Sequence, residues 1–256
     1  MFTVLIQGPI KDHKFVEKNY NHYVDQGYQV HIHTWDSDEA KKLSVPYTSS
    51  SLEEDGEIVK FKHPLKQNKT LSSLYYYVRN VKEGLDKIDN LYIIKIRTDE
   101  FFSDISKIEK YLTLNPTKLV CSNIFLRKQK DQPFNISDHI IGMSYKNMYN
   151  TFNNLYSFFK LFRVLTHQND IFNEEVFKTL WGKKYFGAQN LICRSYLYSL
   201  GHTKLDDIKL VVDNCYCIPV SELGDYFISN NYQSQTYNSK SKPWPENSKF
   251  GESKVW

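Results

Sequence analysis

Residues 91–102, LYIIKIRTDEFF, decide the fold. Tyr92, Ile93, Ile94 and Ile96 read as a strand buried in the interior. Lys95, Arg97, Asp99 and Glu100 arrive at or just past its end. An unpaired ion taken out of water is costly, so charges at a buried strand end need partners. Those partners are either one another or a ligand.

Working outward, the preceding stretch KTLSSLYYYVRNVKEGLDKI has helical spacing, with Leu71, Leu74, Tyr75, Val78, Val81 and Leu85 on its apolar side. At the N-terminus, FTVLIQGPI reads as a strand running into a Gly-Pro turn. KFVEKNYNHYVDQGY follows as a helix that stops near Gly27, and QVHIHTW is a second strand. DSDEAKKL leaves it as a loop, and GEIVKFKHP is expected as a short third strand. The order β-α-β-β-α-β with helix-sized crossovers predicts an α/β fold: one domain with a central, mainly parallel sheet flanked by helices. Beyond it, DISKIEKYLTLN reads as a helix and KLVCSNIF as a strand. ISDHIIGMSYKNMYNTFNNLYSFF reads as a strand or loop and then a helix, NEEVFKTLWGKKYF as a helix and KLVVDNCYCIPV as a strand. We expect residues 1–110 and 111–235 to form two halves of the same domain, the first for ligand binding, and 236–256 a polar tail.

Composition narrows the function classes. The net charge of +4 is spread along the chain without a basic stripe, so nucleic acid is not an expected partner. No apolar run approaches the roughly 20 residues that a membrane-spanning helix needs. The N-terminus lacks the charged and apolar regions of a signal peptide. The four cysteines show no metal or disulfide spacing and read as reduced core thiols. The expected location is the cytoplasm: peripheral to a membrane if the acceptor is lipid-linked, and in the host cytoplasm if the source is a virus.

In open α/β sheets, ligands bind beyond the C-terminal ends of the strands. Those ends carry Gln7-Gly8-Pro9, Trp35-Asp36-Ser37-Asp38 and Arg97-Thr98-Asp99-Glu100. The GxGxxG and GxxxxGK[ST] fingerprints are absent, which argues against a dinucleotide and a P-loop ATPase. The remaining common ligand for such a sheet is a nucleotide-sugar held through a divalent metal. Asp99 would supply a carboxylate to Mg²⁺ or Mn²⁺, and Arg97 would hold the diphosphate bidentately. Gln7, Gly8, Pro9, Trp35 and Asp36 would line the nucleoside. Asn68 and Lys69, opening the long helix, are candidates for the diphosphate side. An inverting transfer needs a base for the acceptor hydroxyl, and Asp138 or Glu174 are candidates, with Glu175 beside the latter.

QGPI, HTW, IKIRTD, ISDHIIG and NEEVF, in that order over roughly residues 1–190, resemble the WavE family of glycosyltransferases associated with lipopolysaccharide core synthesis. The resemblance implies a GT-A fold and transfer of a sugar from a nucleotide donor, UDP- or GDP-linked, to a glycan or glycolipid acceptor. It also places RTD where Asp-x-Asp is more usual, with Asp99 in the metal position. DSD at 36–38 spells Asp-x-Asp but follows the second strand, where the nucleoside is expected. A non-catalytic nucleotide- or sugar-binding relative, and a nucleotidyl- or phosphotransferase on a similar sheet, are the alternatives.

Overall fold

The computed structural model describes residues 1–54, 57–58, 68–124, 134–167, 188–205, 207–229 and 235–237. Side chains are described for all of these except 54, 57–58, 68–72, 162–167, 188, 228 and 235–237. The elements run β1 (Phe2–Gln7), α1 (His13–Asp25), β2 (Gln29–Trp35), β3 (Thr48–Ser50), β4 (Glu53–Glu54), β5 (Glu57–Ile58) and α2 (Asn68–Leu85). Then come β6 (Tyr92–Arg97), β7 (Glu100–Phe102), α3 (Ser106–Leu114), β8 (Leu119–Ser122), β9 (Ile140–Ser144) and α4 (Tyr145–His167). The last elements are α5 (Ala188–Ser199), α6 (Lys209–Asn214), β10 (Cys215–Ile218), β11 (Tyr226–Ile228) and β12 (Gln235–Tyr237).

The architecture is the mainly parallel, helix-flanked α/β arrangement expected from the sequence. Seven strands form the central sheet in the order β10-β8-β9-β6-β1-β2-β3. The half β3-β2-β1-β6 is wholly parallel, with β1 between β2 and β6. β8 and β10 are parallel to each other, and β9 runs antiparallel to both β6 and β8. One reversed strand therefore lies inside an otherwise parallel sheet. A second, three-stranded sheet, β12-β11-β7, is antiparallel and continues the chain just past β6.

Both faces of the central sheet are covered, so its inner strands carry apolar residues without alternation. Leu5, Ile93, Ile141 and Met143 pack with Tyr75, Val78, Val81, Phe152 and Leu191 of α2, α4 and α5. Val4, Ile6, Ile94, Ile96 and Ile140 pack on the other side with Val16 and Tyr23 of α1 and Ile108 and Leu112 of α3. All four cysteines are free and buried, as read.

The structure corrects two of the expected elements. The third strand of the sheet is Thr48–Ser50, not GEIVKFKHP; Glu57–Ile58 pairs only with Glu53–Glu54, and residues 59–67 lie outside the described residues. Three short polar residues continue the sheet because β2 supplies the backbone partners and His33 the side-chain hydrogen bonds to Thr48 and Ser50. KLVVDNCYCIPV divides into helix α6 and strand β10. The helix expected over NEEVFKTLWGKKYF and most of the polar tail lie outside the described residues.

Gly142 on β9 is where α3 lies on the sheet. A Cβ added there would stand 2.6 Å from Ile108 Cγ2 and 2.8 Å from Leu112 Cδ1. Gly142→Ala is expected to destabilise the protein by about 1–3 kcal/mol through overpacking. A lowered midpoint in urea unfolding checks this; an unchanged midpoint would show that α3 shifts freely.

Candidate functional site

Six of the seven central strands share one direction, so β1, β2 and β6 end on the same edge, and the reversed β9 begins there. The loop after β1 is held from both sides. Thr34 Oγ1 donates to Gly8 O at 2.8 Å, Thr98 Oγ1 donates to Pro9 O at 2.8 Å, and Thr98 N donates to Gln7 O at 3.0 Å. Gly8 has φ +129°, a conformation other residues rarely adopt, and a Cβ there would stand 3.1 Å from Thr98 Oγ1. The turn thus needs glycine to let the β6 end approach.

These strand ends enclose a cleft of about 340 Å³, within the ordinary size of a small-molecule site. Gln7, Gly8, Pro9, Trp35, Arg97 and Asp99 all line it, so members of three strand-end clusters meet there, while Asp36, Ser37, Asp38 and Glu100 do not line it. Lys11, Thr98, Ser73, Tyr76 and Tyr77 join them. Tyr76 meets Trp35 edge-on at 5.6 Å, and the Arg79 guanidinium lies 5.6 Å from the Trp35 ring. Among the described residues, two that line the cleft have a buried polar atom without a partner: Gln7 Oε1 and the Tyr77 hydroxyl. Buried polar groups are rarely left unpaired, so both are places where a ligand would add a hydrogen bond.

Arg97 and Asp99 are partners. Arg97 Nε donates to Asp99 Oδ1 and Nη2 to Oδ2, each at 2.8 Å. Arg97 Nε is also 3.4 Å from Glu100 Oε1, and that oxygen is in turn hydrogen-bonded to His139 Nδ1. Burial works against charge on the guanidinium, but the Asp99 hydrogen bonds and the charges of Glu100 and Asp99 outweigh it and hold its pKa above the ordinary arginine value. Burial likewise works against charge on Asp99, and Arg97 outweighs it, with a further contribution from Lys11, so that pKa is lowered.

Lys95 is not at the strand end but inside β6, with no solvent exposure. Its Nζ donates to Asp138 O at 2.6 Å and lies 4.8 Å from the centre of the Tyr77 ring. Burial pushes its pKa down to about 8, opposed by the Asp138 charge. Burial, with Asp138 adding, also raises the Tyr77 phenol well above its usual value. Asp138 is buried just before β9, and its Oδ1 accepts from Gln189 Nε2 at 2.9 Å.

Other candidates fall elsewhere. Asp36 is exposed and does not line the cleft; its carboxylate accepts from the Ser49 hydroxyl. Asp38 pairs with Lys41 on the surface. Asn68 and Lys69 begin α2, but their side chains are not described, and Glu174 and Glu175 lie outside the described residues. Sequence reading missed Lys11, Tyr76, Tyr77 and Gln189. A lysine flanked by isoleucines in β6 was the one visible signal of a buried cation.

The donor set around Asp99, as it stands, does not fit a divalent cation. Both Asp99 oxygens are engaged by a guanidinium, and among the described residues no three His, Cys, Asp or Glu side chains are grouped to hold a metal. A cation bound through Asp99 and substrate phosphates would have to displace Arg97 or share its carboxylate against like-charge repulsion.

No family model and no curated protein matches the chain, so the WavE resemblance of the short motifs gains no support there. Among solved structures, the chain is similar to HddC from Yersinia pseudotuberculosis, at 14% identity over 58% of this chain and 78% of that one, with a TM-score of 0.34. It is similar to the same protein complexed with GMP-PN, at 13% identity over 58% and 79%, TM-score 0.36. It is also similar to a glycosyltransferase involved in the glycosylation of the major capsid of PBCV-1, at 9% identity over 85% and 81%, TM-score 0.39. These likenesses are distant, and the fold described above stands on its own strand order.

Lys95 supplies a pH test. The unfolded chain holds its proton up to the ordinary value of 10.5, the folded chain only to about 8. The penalty of the buried charge is therefore complete below pH 8, falls as pH rises to 10.5 and is absent above. The stability of the wild type relative to Lys95→Met is expected to rise across that window, by about 3 kcal/mol. Urea unfolding of both proteins at pH 7.5 and 10 measures it; a difference that does not change with pH would show that Lys95 titrates normally.

Proposed function

We propose that the chain is a glycosyltransferase that moves a sugar from a nucleotide-sugar donor, UDP- or GDP-linked, to a glycan or glycolipid acceptor. The observation that carries this reading is the convergence of aromatic and cationic groups in one cleft at the strand ends. A nucleoside diphosphate needs an aromatic surface for its base and cations for its phosphates. Trp35 and Tyr76 supply the first, and Arg97 and Lys11 the second. Gln7, Gly8 and Pro9 form the wall against the nucleoside.

In the transfer, an acceptor oxygen bonds to the anomeric carbon as the bond from that carbon to the diphosphate breaks. The electron pair leaves with the diphosphate, and Arg97 and Lys11 offset its charge. The acceptor proton passes to a carboxylate. Asp138 is the described candidate: Gln189 holds Oδ1, while Oδ2 has no partner among the described residues. Glu174 is the other candidate.

The test is to titrate UDP and GDP and then to follow UDP- and GDP-sugars for slow donor hydrolysis. Binding of one diphosphate, with release of that diphosphate from its sugar, is expected. Trp35→Ala should weaken binding roughly 10- to 100-fold, the equivalent of about 1–3 kcal/mol of base stacking, and Trp35→Phe should retain most of the affinity. Release of pyrophosphate would favour the nucleotidyltransferase reading. Binding without any release would favour a non-catalytic module.

A further inference from the structure

We propose that the cleft holds the nucleoside diphosphate directly on Arg97 and Lys11, and that Asp99 positions the Arg97 guanidinium rather than ligating a metal. The inference rests on the nucleotide-sugar reading of the same cleft. The geometry that carries it is the division of the guanidinium into two edges. A guanidinium has five N–H donors in a fixed plane. One edge, Nε and Nη2, is spent on the two oxygens of Asp99. The other nitrogen, Nη1, has no hydrogen-bond partner among the described residues and is not among the buried unpaired atoms. The Arg97 side chain is 38% exposed and that of Asp99 17%, so the arginine is the more open of the two. Both residues line the cleft.

A phosphate can therefore take the free edge, Nη1 with the second N–H of Nη2, without breaking the Asp99 pair. The pair fixes the plane of the guanidinium in advance, which lowers the entropy lost on binding. Glu100 flanks the same group on its Nε side and is itself tied to His139, so the arginine is held between two carboxylates at the end of a rigid strand. Lys11 lies in the same cleft, close enough for its charge to act on Asp99, and makes no hydrogen bond to a described residue. Its ammonium is available for the second phosphate. Two cations would then stand opposite the diphosphate, without a metal taking Asp99 from its arginine.

The measurement is calorimetric titration of UDP and GDP into the intact chain, once with EDTA and once with Mn²⁺. Whichever diphosphate binds is expected to do so in EDTA with less than a tenfold change in Kd on adding Mn²⁺. Arg97→Gln and Lys11→Ala should each weaken binding tenfold or more in EDTA. Asp99→Asn, which keeps one carbonyl acceptor for the arginine, should weaken it less than Arg97→Gln does, and by the same factor with and without Mn²⁺. That matched factor separates positioning from metal ligation and from loss of fold, which unliganded thermal unfolding of each variant also reports. A tenfold or greater requirement for Mn²⁺ that disappears in Asp99→Asn would overturn the inference and leave the nucleotide-sugar reading standing. Absence of UDP and GDP binding under both conditions would remove that reading and the inference with it.

Discussion

The ammonium of Lys95 lies in the middle strand of the sheet with no exposure, and the edge around it is organised by how that charge is accommodated. A buried cation is tolerated only with good partners. Lys95 has the Asp138 carbonyl at 2.6 Å, the face of Tyr77 at 4.8 Å, and the carboxylates of Asp138, Glu100 and Asp99 near enough to favour its charge. The hydrogen bond fixes the chain just ahead of β9 against β6. The register Ile96↔Ile140 then continues from that point. One side chain thus joins the two strands whose adjoining ends carry the candidate donor and acceptor chemistry.

Two residues further along, Arg97 meets Asp99 and Glu100, and Glu100 meets His139. Lys95 and Arg97 lie on the same side of β6 because side chains alternate along a strand. The polar end of the strand is therefore a layer of alternating charge under the cleft. Isolated exposed pairs contribute little to stability. This group is largely shielded and linked through several hydrogen bonds, so its effect is to fix side-chain positions more than to strengthen the fold.

The main sheet was legible because its inner strands are apolar without alternation and its helices carry one apolar face. Tyr92–Arg97 and Phe2–Gln7 were readable on that basis. Thr48–Ser50 was not, since its residues have no apolar signal and its place is set by pairing with β2. α6 was read as strand because Leu210, Val211 and Val212 favour strands in isolation, while six residues are too few to show a helical period. The cleft itself was legible through Gln7, Trp35, Arg97 and Asp99, all at strand ends. Tyr76 and Tyr77 were not, because adjacent helix positions look alike in sequence and only the packing of α2 decides which ring turns to the cleft. The partnership of Arg97 with Asp99 was visible only as an alternative, since spacing alone does not say whether neighbouring opposite charges close on each other or on a ligand.

The reversed strand β9 accounts for the meeting of these groups. In a wholly parallel sheet, residues that precede a strand lie at the edge opposite to those that follow its neighbour. Asp138 and His139 precede β9, and Arg97 ends β6. With β9 parallel they would be separated by the length of the strands, about 17–20 Å for five or six residues. Because β9 runs antiparallel, Asp138 reaches Lys95 and His139 reaches Glu100. A parallel half alone provides strand ends suited to a nucleotide. The single reversal adds a carboxylate on the same edge, where the proposed transfer needs one.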